Sequence, residues 1–449
     1  MKMKKIIALI LAVLMLTVCF AGCGSQNSTS TETTEGSTEG TTAAETSETP
    51  AEAVEIVLWH TLTDHHQEAL NEIIAGFNAS QSEYVVVAEQ QPYSEYDAKL
   101  LQAVSSGSGP DFVTMFASDA INYMTDGYLY PFTEFINDSE IGWPEFKDQV
   151  ASGLYAEITQ WGGEEIYMIP STFGSEVLYY NKTMFDALGL EVPTTWSEVE
   201  ECAKAIYNEY GIAGFGTDSI TDSFQGWIKQ AGSDYIDVEN KQIAIDHDIA
   251  IEKLNWFADG VKEGYFRLVG EDYYFSNPFG SQAVGMYIGA AAGVDYALSA
   301  IPAEGEDGHF EMGCAPLAQD FTLNYVSSWG STYVCLSQDA EHARGVYKFL
   351  RYMTQEETIV DWAISFGATP AYKDAINSDE FQSYAETNVA VHALVQEYDY
   401  INYLPSILGA STVRTEIDKM VQSVALGLSD AETAYSNFVT AANAALNDN

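Results

Sequence analysis

The stretch YMIPSTFGSEVLYYNKTMFDALGLEVPTTW, residues Tyr167–Trp196, decides how this chain folds. It begins apolar, is interrupted by Pro170 and Gly174, and continues as the apolar run Val177–Tyr180. That run is rich in β-formers, is too short for a helix and is bounded by turn residues, which is typical of a buried strand. We therefore predict that the stretch is a hinge between two lobes and forms one wall of a cleft.

Helix signals follow this strand directly. Asn181 is placed to cap the helical turn Met184–Leu188, and Gly189 is placed to end it. The next helix has Thr195 or Ser197 as its N-cap. The segment is thus predicted to run from strand to helix to helix with tight connections.

The N-terminus indicates export. Three lysines within the first five residues precede the apolar run Ile6–Phe20, and Phe-Ala-Gly-Cys follows, ending at Cys23. This pattern predicts a lipoprotein signal peptide over residues 1–22. A permanent membrane span needs about 20 apolar residues, and this run is shorter. Acylation of Cys23 would anchor the mature chain to the cell membrane from the outside.

Residues 23–53 consist mainly of Ser, Thr, Glu and Gly, with almost no apolar side chain larger than Ala. Such a segment cannot bury enough surface to offset its ordering entropy, so we predict a disordered tether. Nearly 400 residues follow it, too many for one ordinary hydrophobic core. At least two lobes are therefore expected.

The mature chain is strongly anionic. Of 18 basic side chains, three lie in the signal, which leaves 15 against 66 acidic ones. A polyanion of this kind does not bind nucleic acid by neutralising phosphates. An anionic ligand would need a local cation.

Cysteine and histidine give no sign of a metal or a cofactor. Cys202, Cys314 and Cys335 are an odd, widely spaced trio, which favours buried structural thiols over disulfides. His60, His65 and His66 cluster in a turn and helix start without the spacing of a zinc motif. We predict neither metal nor cofactor.

The mature chain opens as alternating strands and helices, which indicates an α/β lobe with a mainly parallel sheet. The predicted elements are the strand Val54–Trp59, a helix with Leu70, Ile73, Ile74 and Phe77 on one face, the strand Tyr84–Ala88, the helix Ser94–Ser105 and the strand Asp111–Phe116. Ligands of such sheets bind beyond the carboxyl ends of the strands. Here those ends are the turns at Trp59-His60 and Phe116–Asp119.

Three polar or Gly-containing segments are predicted to cross between lobes: Pro170–Ser175, Trp329-Gly330 and Gly367–Pro370. Each lobe would then be discontinuous. We predict an N-terminal lobe of residues 54–170 plus about 330–369, and a C-terminal lobe of residues 171–329 plus about 370–449.

Several motifs resemble the family 1 extracellular solute-binding proteins of ABC importers, in particular those that bind sn-glycerol 3-phosphate and the maltose-binding-like sugar-binding proteins. The motifs are Leu58-Trp59-His60, Gly127–Phe132, Ile169-Pro170 with Leu178–Lys182, Pro193–Trp196, Gln225–Ile228, and Trp362 with Phe366–Pro370. The resemblance implies a two-lobed α/β fold of the type II periplasmic-binding-protein kind. It also implies a monomer that closes on a small solute and delivers it to permease subunits.

Four positions match the family's ligand contacts. By resemblance, Tyr96 is a ligand-contacting Tyr, Phe224 an aromatic residue beside the ligand, Gly330 a backbone contact and Arg414 the phosphate-binding Arg.

Other positions depart from the family's pattern. Ala117 replaces a Glu that holds glycerol hydroxyls, Ala368 replaces a Tyr, and Ala291 or Ala292 replaces a Ser. A further Ser near Gly174 is absent, with Thr172 or Ser175 as its substitute. The expected ligand is therefore glycerol 3-phosphate, a phosphodiester or a neutral sugar.

The residues themselves support part of this site. Arg414 lies at the start of a predicted helix, where an arginine and free N–H groups can hold an oxyanion together. It could equally pair with Glu416 or Asp418 on its own helix. Sugar sites use aromatic rings as stacking platforms, and Trp59, Tyr96, Phe224 and Trp329 lie at predicted strand ends or crossings.

Two other classes of function stay open. Glu164-Glu165 or Asp119 could supply the carboxylate pair of a secreted glycosidase, although adjacent strand residues point to opposite faces. The sequence has no Gly-x-Ser-x-Gly motif, P-loop or zinc motif, which argues against an enzyme. A surface adhesin or sensor accessory is the third class.

Overall fold

Two β-sheets, each with its own hydrophobic core, organise this chain into two lobes. The computed structural model describes residues 53–320 and 322–448. The predicted signal peptide, nearly all of the tether and the acylation site Cys23 lie outside the described residues. Within the described ranges, no helix combines the length and apolar character that a membrane span requires.

The elements up to the first crossing are β1 Val54–His60, α1 Asp64–Ser80, β2 Tyr84–Gln90, α2 Tyr96–Ser105, β3 Phe112–Met115, α3 Ala117–Thr125, α4 Thr133–Ile136, α5 Phe146–Gln149, α6 Ser152–Ile158 and β4 Met168–Gly174. The next are β5 Glu176–Asn181, α7 Lys182–Leu188, α8 Trp196–Tyr210, β6 Ala213–Thr217, α9 Ile220–Gln230, β7 Ile236–Asp237, β8 Gln242–Ile243, α10 His247–Glu263, α11 Ser276–Gly280, β9 Val284–Ala290, α12 Val294–Ala300 and β10 Met312–Ala315.

The remaining elements are β11 Val326–Ser327, β12 Trp329–Cys335, α13 Ala340–Met353, α14 Glu356–Phe366, β13 Thr369–Pro370, α15 Lys373–Ile376, α16 Asp379–Thr387, α17 Val389–Glu397, β14 Ile401–Asn402, α18 Ala410–Ala425 and α19 Ala431–Asn447. Short 3-10 turns lie at Tyr93–Glu95, Gly270–Asp272, Ala291–Gly293 and Tyr398–Tyr400.

The first sheet has the strand order β13-β4-β12-β3-β1-β2. Strand β1 is parallel to β2 and β3, whereas β12 is antiparallel to both β3 and β4. The sheet is mixed rather than mainly parallel. The reason is that β4 leads the chain out of this lobe and β12 leads it back, so two neighbouring strands must run in opposite directions.

The second sheet has the order β10-β5-β9-β6 and is also mixed. Strand β5 is antiparallel to β10 and β9, and only β6 pairs with β9 in parallel. The apolar run that predicted a buried strand is the centre of β5, where Val177, Leu178 and Tyr179 are each at most 1% exposed. The two-lobed α/β architecture follows from these two sheets.

The first crossing is shorter than the predicted segment. Strand β4 includes Pro170 and ends at Gly174, and β5 begins at Glu176, so Ser175 alone joins the two sheets. The Ser175 hydroxyl donates to the carbonyl oxygen of Ser327 at 2.7 Å, which ties the first crossing to the second. The lobe boundary therefore lies at Ser175 rather than between residues 170 and 171.

The predicted third crossing at Gly367–Pro370 is misplaced. Strand β13 pairs with β4 in the first sheet, and buried residues as far as Ile401 pack in the first core. Helix α17 then contacts both lobes, since Val391 belongs to the first core and Leu394 packs beside Tyr179 in the second lobe. Ile401 still packs in the first core, whereas Leu404 and Val413 pack in the second, so the chain changes lobe for the last time after residue 401.

Local capping signals hold as predicted. Asn181 Oδ1 accepts from the Met184 N–H at 2.9 Å, and Gly189 ends α7 with φ +65°. Thr195 caps α8 through a capping box with Glu198. Such caps can be predicted from the sequence, because their side chains satisfy N–H groups that the helix leaves unpaired.

Helical glycines provide a test of packing. In α6, a Cβ on Gly153 would lie 2.2 Å from the carbonyl oxygen of Ile401, whereas a Cβ on Gly226 in α9 would meet nothing within 4 Å. We expect Gly153→Ala to lower the free energy of unfolding by about 2 kcal/mol or more, because α6 would be forced away from β14. Gly226→Ala should raise it by about 0.5–1 kcal/mol, since alanine restricts the unfolded chain.

Urea unfolding of the two variants beside the wild type measures both changes. Because the substitution is chemically identical, equal effects at the two positions would contradict the proposed close approach of α6 and β14.

Candidate functional site

A cleft of about 370 Å³ lies between the lobes. The first lobe contributes the start of α3 and the end of α6, and the second contributes α9 and the start of α18. The lining residues are Phe116, Ala117, Ser118, Asp119, Ile121, Asn122, Glu157, Gln225, Tyr235, Ser327, Ser328, Trp329, residues 404–411 and Arg414. Every wall comes from an element that ends or crosses at the cleft.

The wall from the first lobe begins where β3 ends. Phe116 is the N-cap position of α3 and is 52% exposed, and Ala117 follows it at the cleft surface. Ala117, which by resemblance replaces a Glu that holds glycerol hydroxyls, therefore presents only a methyl group to the cleft. The other predicted strand end, Trp59-His60, does not line this cleft.

Arg414 reaches the cleft from the first turns of α18 and is half-buried. Its Nη1 and Nη2 donate to the two oxygens of Asp222 at 2.6 and 3.0 Å, and Nη1 also donates to Gln225 Oε1 at 2.9 Å. Its ionic partner is thus on α9, and neither Glu416 nor Asp418 on its own helix pairs with it. Burial lowers the pKa of Arg414, but the hydrogen bonds and charge of Asp222 outweigh burial and raise it.

Glu176 lies near this pair, at the first position of β5. It is 4% exposed, and its pKa is held well above the usual range by burial and by the charges of Asp222 and Asp218, against the opposing effect of Arg414. Arg414 opposes this rise without reversing it, and its guanidinium is already paired with Asp222.

Glu157 is the acidic side chain at the floor of the cleft. It lies at the end of the buried face of α6 and is 8% exposed. Its Oε2 has no hydrogen-bond partner within the described part of the chain. Burial raises its pKa to about 8, so the neutral acid is the main form at neutral pH. The buried Oγ of Ser328 also lacks a partner among the described residues. Such atoms in a cleft are available to a ligand, because buried polar groups are otherwise nearly always bonded.

The second crossing supplies the adjacent wall. Trp329 lines the cleft, and Gly330 lies next to Glu157, where an added Cβ would be 3.2 Å from Oε2. The absence of a side chain at Gly330 therefore lets the carboxyl group approach β12. Ser175 is 1% exposed and bonds Ser327, which gives it a structural role at the hinge.

Other predicted ligand residues are not at this cleft. Trp59 donates from Nε1 to Glu89 at 2.7 Å, and Lys99 lies 4.9 Å above its ring. His60 and Thr172 line a separate cavity of about 90 Å³ behind the hinge strands. Strands β1 and β3 are parallel neighbours, so their carboxyl ends share one edge of the sheet, but only the residues that follow β3 line the cleft.

The two remaining aromatic candidates are core residues. Phe224 is fully buried in the second core, and Tyr96 is half-buried against the first core. On α9, Asp222 and Gln225 are three residues apart and share the face turned to the cleft, so the intervening Phe224 points away from it. The three-residue spacing of Asp222 and Gln225 is the sequence signal that could have indicated which face of α9 turns to the cleft.

The sequence reading missed Glu157, Asp222, Gln225, Tyr235 and Ser328. The signal for Glu157 was a single acid between Leu154 and Ile158, on the apolar side of a helix, where both neighbours are 1% exposed. An acid at such a position is buried, and a buried acid calls for an explanation.

These lobes, crossings and cleft define a type II periplasmic-binding-protein fold. A family described as bacterial extracellular solute-binding protein matches residues 72–389, and this chain belongs to it. The chain is 25% identical over 416 residues to the sn-glycerol-3-phosphate-binding periplasmic protein UgpB of Brucella melitensis, covering 87% of this chain and 93% of the relative.

Two solved structures illustrate the fold. The cyclic α-maltosyl-1,6-maltose binding protein from Arthrobacter globiformis aligns with a TM-score of 0.77 and 19% identity, over 88% of this chain and 100% of that one. UgpB from Mycobacterium tuberculosis in complex with glycerophosphocholine aligns with a TM-score of 0.71 and 17% identity, over 88% and 99%. The resemblance inferred from the sequence motifs is confirmed at the level of the family.

The raised pKa of Glu157 predicts how stability depends on pH. In the folded chain the group keeps its proton up to about pH 8, whereas the unfolded chain releases it near 4.5. The folded state thus binds more protons between these values, and its stability should fall as pH rises through this window, by up to about 4–5 kcal/mol.

Urea unfolding of the wild type and Glu157→Gln at several pH values tests this. The glutamine variant should lose this part of the slope, while other buried acids such as Glu397 contribute equally to both proteins. Parallel stability curves would show that Glu157 does not titrate in this window.

Proposed function

We propose that this chain is the extracellular substrate-binding lipoprotein of an ABC importer. It captures a carbohydrate or glycerol-phosphate-type solute between its lobes and delivers it to the permease subunits as a monomer. The observation that carries this proposal is the cleft between two separately packed lobes, which contains unpaired buried polar atoms from Glu157 and Ser328. A solute that bonds these atoms would favour the closed arrangement of the lobes.

The cleft's dimensions and chemistry suit a small polar solute. Its volume of about 370 Å³ lies within the usual range for small-molecule sites, about 300–1,000 Å³. Trp329 and Tyr235 offer aromatic surface, while Gln225, Glu157 and Arg414 offer donors and acceptors. Rings that cover the apolar face of a sugar and polar groups that bond its hydroxyls are a common combination.

The relatives' ligands support these two solute classes. The Brucella relative is named for sn-glycerol 3-phosphate, the Arthrobacter protein for a cyclic maltosyl-maltose, and the Mycobacterium protein was crystallised with glycerophosphocholine. All three are small, hydroxyl-rich compounds. Catalysis is not part of the proposal: Glu164 and Glu165 are exposed and are not among the residues that line the cleft.

A binding protein of this kind should gain thermal stability with one class of solute. Ligand that binds only the folded state adds about 2.7 kcal/mol at a concentration about 100 times Kd. We expect a thermal-shift screen of neutral sugars, glycerol 3-phosphate and glycerophosphodiesters to give a rise in Tm with one class, and chromatography to recover that solute unchanged.

The alternatives give different results in the same screen. Hydrolysis of a sugar over hours would indicate a secreted glycosidase. The absence of a shift with every small solute would favour a surface adhesin or sensor accessory.

The membrane anchor rests on the sequence at Cys23. After cleavage of residues 1–22, acylation of Cys23 would hold the protein at the cell surface, with residues 23–53 as spacer. We expect Cys23→Ser to abolish incorporation of radiolabelled palmitate and to keep the precursor at its full length. Equal labelling of wild type and variant would exclude this anchor without affecting the binding proposal.

A further inference from the structure

Asp222 binds the two guanidinium nitrogens of Arg414 that would otherwise be available to an anion. The two guanidinium nitrogens Nη1 and Nη2 face the two carboxylate oxygens, which is the bidentate arrangement that arginine offers to phosphate. Asp222 is 5% exposed, and the Ser219 hydroxyl donates to its Oδ2 at 2.6 Å. The carboxylate is therefore fixed in place before any ligand arrives.

The surrounding charges do not supply a substitute cation. Among the described residues that line the cleft, Arg414 is the only basic one, and Asp119 and Glu157 are acidic. An entering phosphate would meet an arginine whose charge is already balanced, with the acid Asp119 in the same cleft and no second basic side chain among the described lining residues. Charges in a partly buried cleft are screened less than charges at the surface, so this arrangement disfavours a phosphate.

We infer that Asp222 is a specificity-determining residue that excludes phosphate-bearing solutes, and that the solute of this cleft is an uncharged polyhydroxy compound. This inference rests on the function proposed above and narrows its ligand class. It also assigns Arg414 a role different from that of a phosphate clamp. The arginine becomes a hydrogen-bond donor held in position by Asp222 and Gln225.

The available hydrogen-bonding atoms agree with a hydroxyl-rich ligand. Arg414 keeps its Nε–H and one Nη2–H without a partner in the described ranges, and these can donate. Glu157 Oε2 and Ser328 Oγ can both accept or donate. Sugar hydroxyls both donate and accept, so they can pair with each of these atoms in either direction.

The test is calorimetric titration of glycerol 3-phosphate and inorganic phosphate into the wild type and Asp222→Asn. The wild type should bind neither, while a neutral sugar raises its Tm. Asp222→Asn frees the charge of Arg414 and keeps the side-chain shape, so its affinity for glycerol 3-phosphate should rise about 30-fold or more. The gain should disappear in the double variant Asp222→Asn, Arg414→Gln.

Asp222→Glu is the matched control, since it keeps the negative charge and should gain no phosphate binding. Wild-type binding of glycerol 3-phosphate as tight as that of any sugar would overturn the inference and leave the importer function standing. A neutral-sugar ligand with no phosphate gain in a folded Asp222→Asn would overturn the role of Asp222. If Asp222→Asn does not fold, the wild-type titrations decide the ligand class, and the absence of binding by every solute would instead contradict the proposed function.

Discussion

The antiparallel pairing of β4 with β12 is the constraint on which the rest of the structure depends. These two strands carry the chain out of the first lobe and back into it, and they lie side by side from Trp329 opposite Gly174 to Val334 opposite Met168. The Ser175–Ser327 hydrogen bond continues the link beyond the sheet. A register shift between Ser331 and Thr332 adds local twist, as bulges do. The lobes are thereby joined along one narrow line, and the cleft opens beside it.

The same constraint explains why acids are buried near the cleft. Glu176 follows Ser175 directly, and Glu157 packs against Gly330 on the returning strand. Burial raises the pKa of both carboxyl groups, because an isolated carboxylate in such surroundings would lose its hydration without gaining a partner. The ionised acid that balances the local arginine comes instead from α9. The neutral acid Glu157 and the balanced ion pair of Arg414 give a cleft that is suited to hydrogen bonding rather than to binding a charged group.

Sequence patterns predicted what depends on neighbouring residues and missed what depends on distant ones. Caps at Asn181 and Thr195 rest on spacings of a few residues. The mixed sheets and the last change of lobe, after residue 401, depend on which elements become neighbours, and a periodic pattern does not contain that information. At the site, Trp329 and Arg414, which were predicted from a crossing and a helix start, both line the cleft. Phe224 was misassigned because an aromatic residue on a helix does not reveal which face is turned to the core.

The Arg414–Asp222 pair shows why a matching residue can carry a different function. By resemblance, Arg414 is expected to be a phosphate-binding arginine, but its charge is balanced by an acid 192 residues earlier in the chain. Aligning one position cannot detect this, because the electrostatic property belongs to the pair. The pair is also expensive to break from one side, since a buried partner would be left uncompensated. In a chain of net charge −48, where cations are scarce, the placement of one carboxylate beside one arginine decides whether a cleft attracts or rejects an anion.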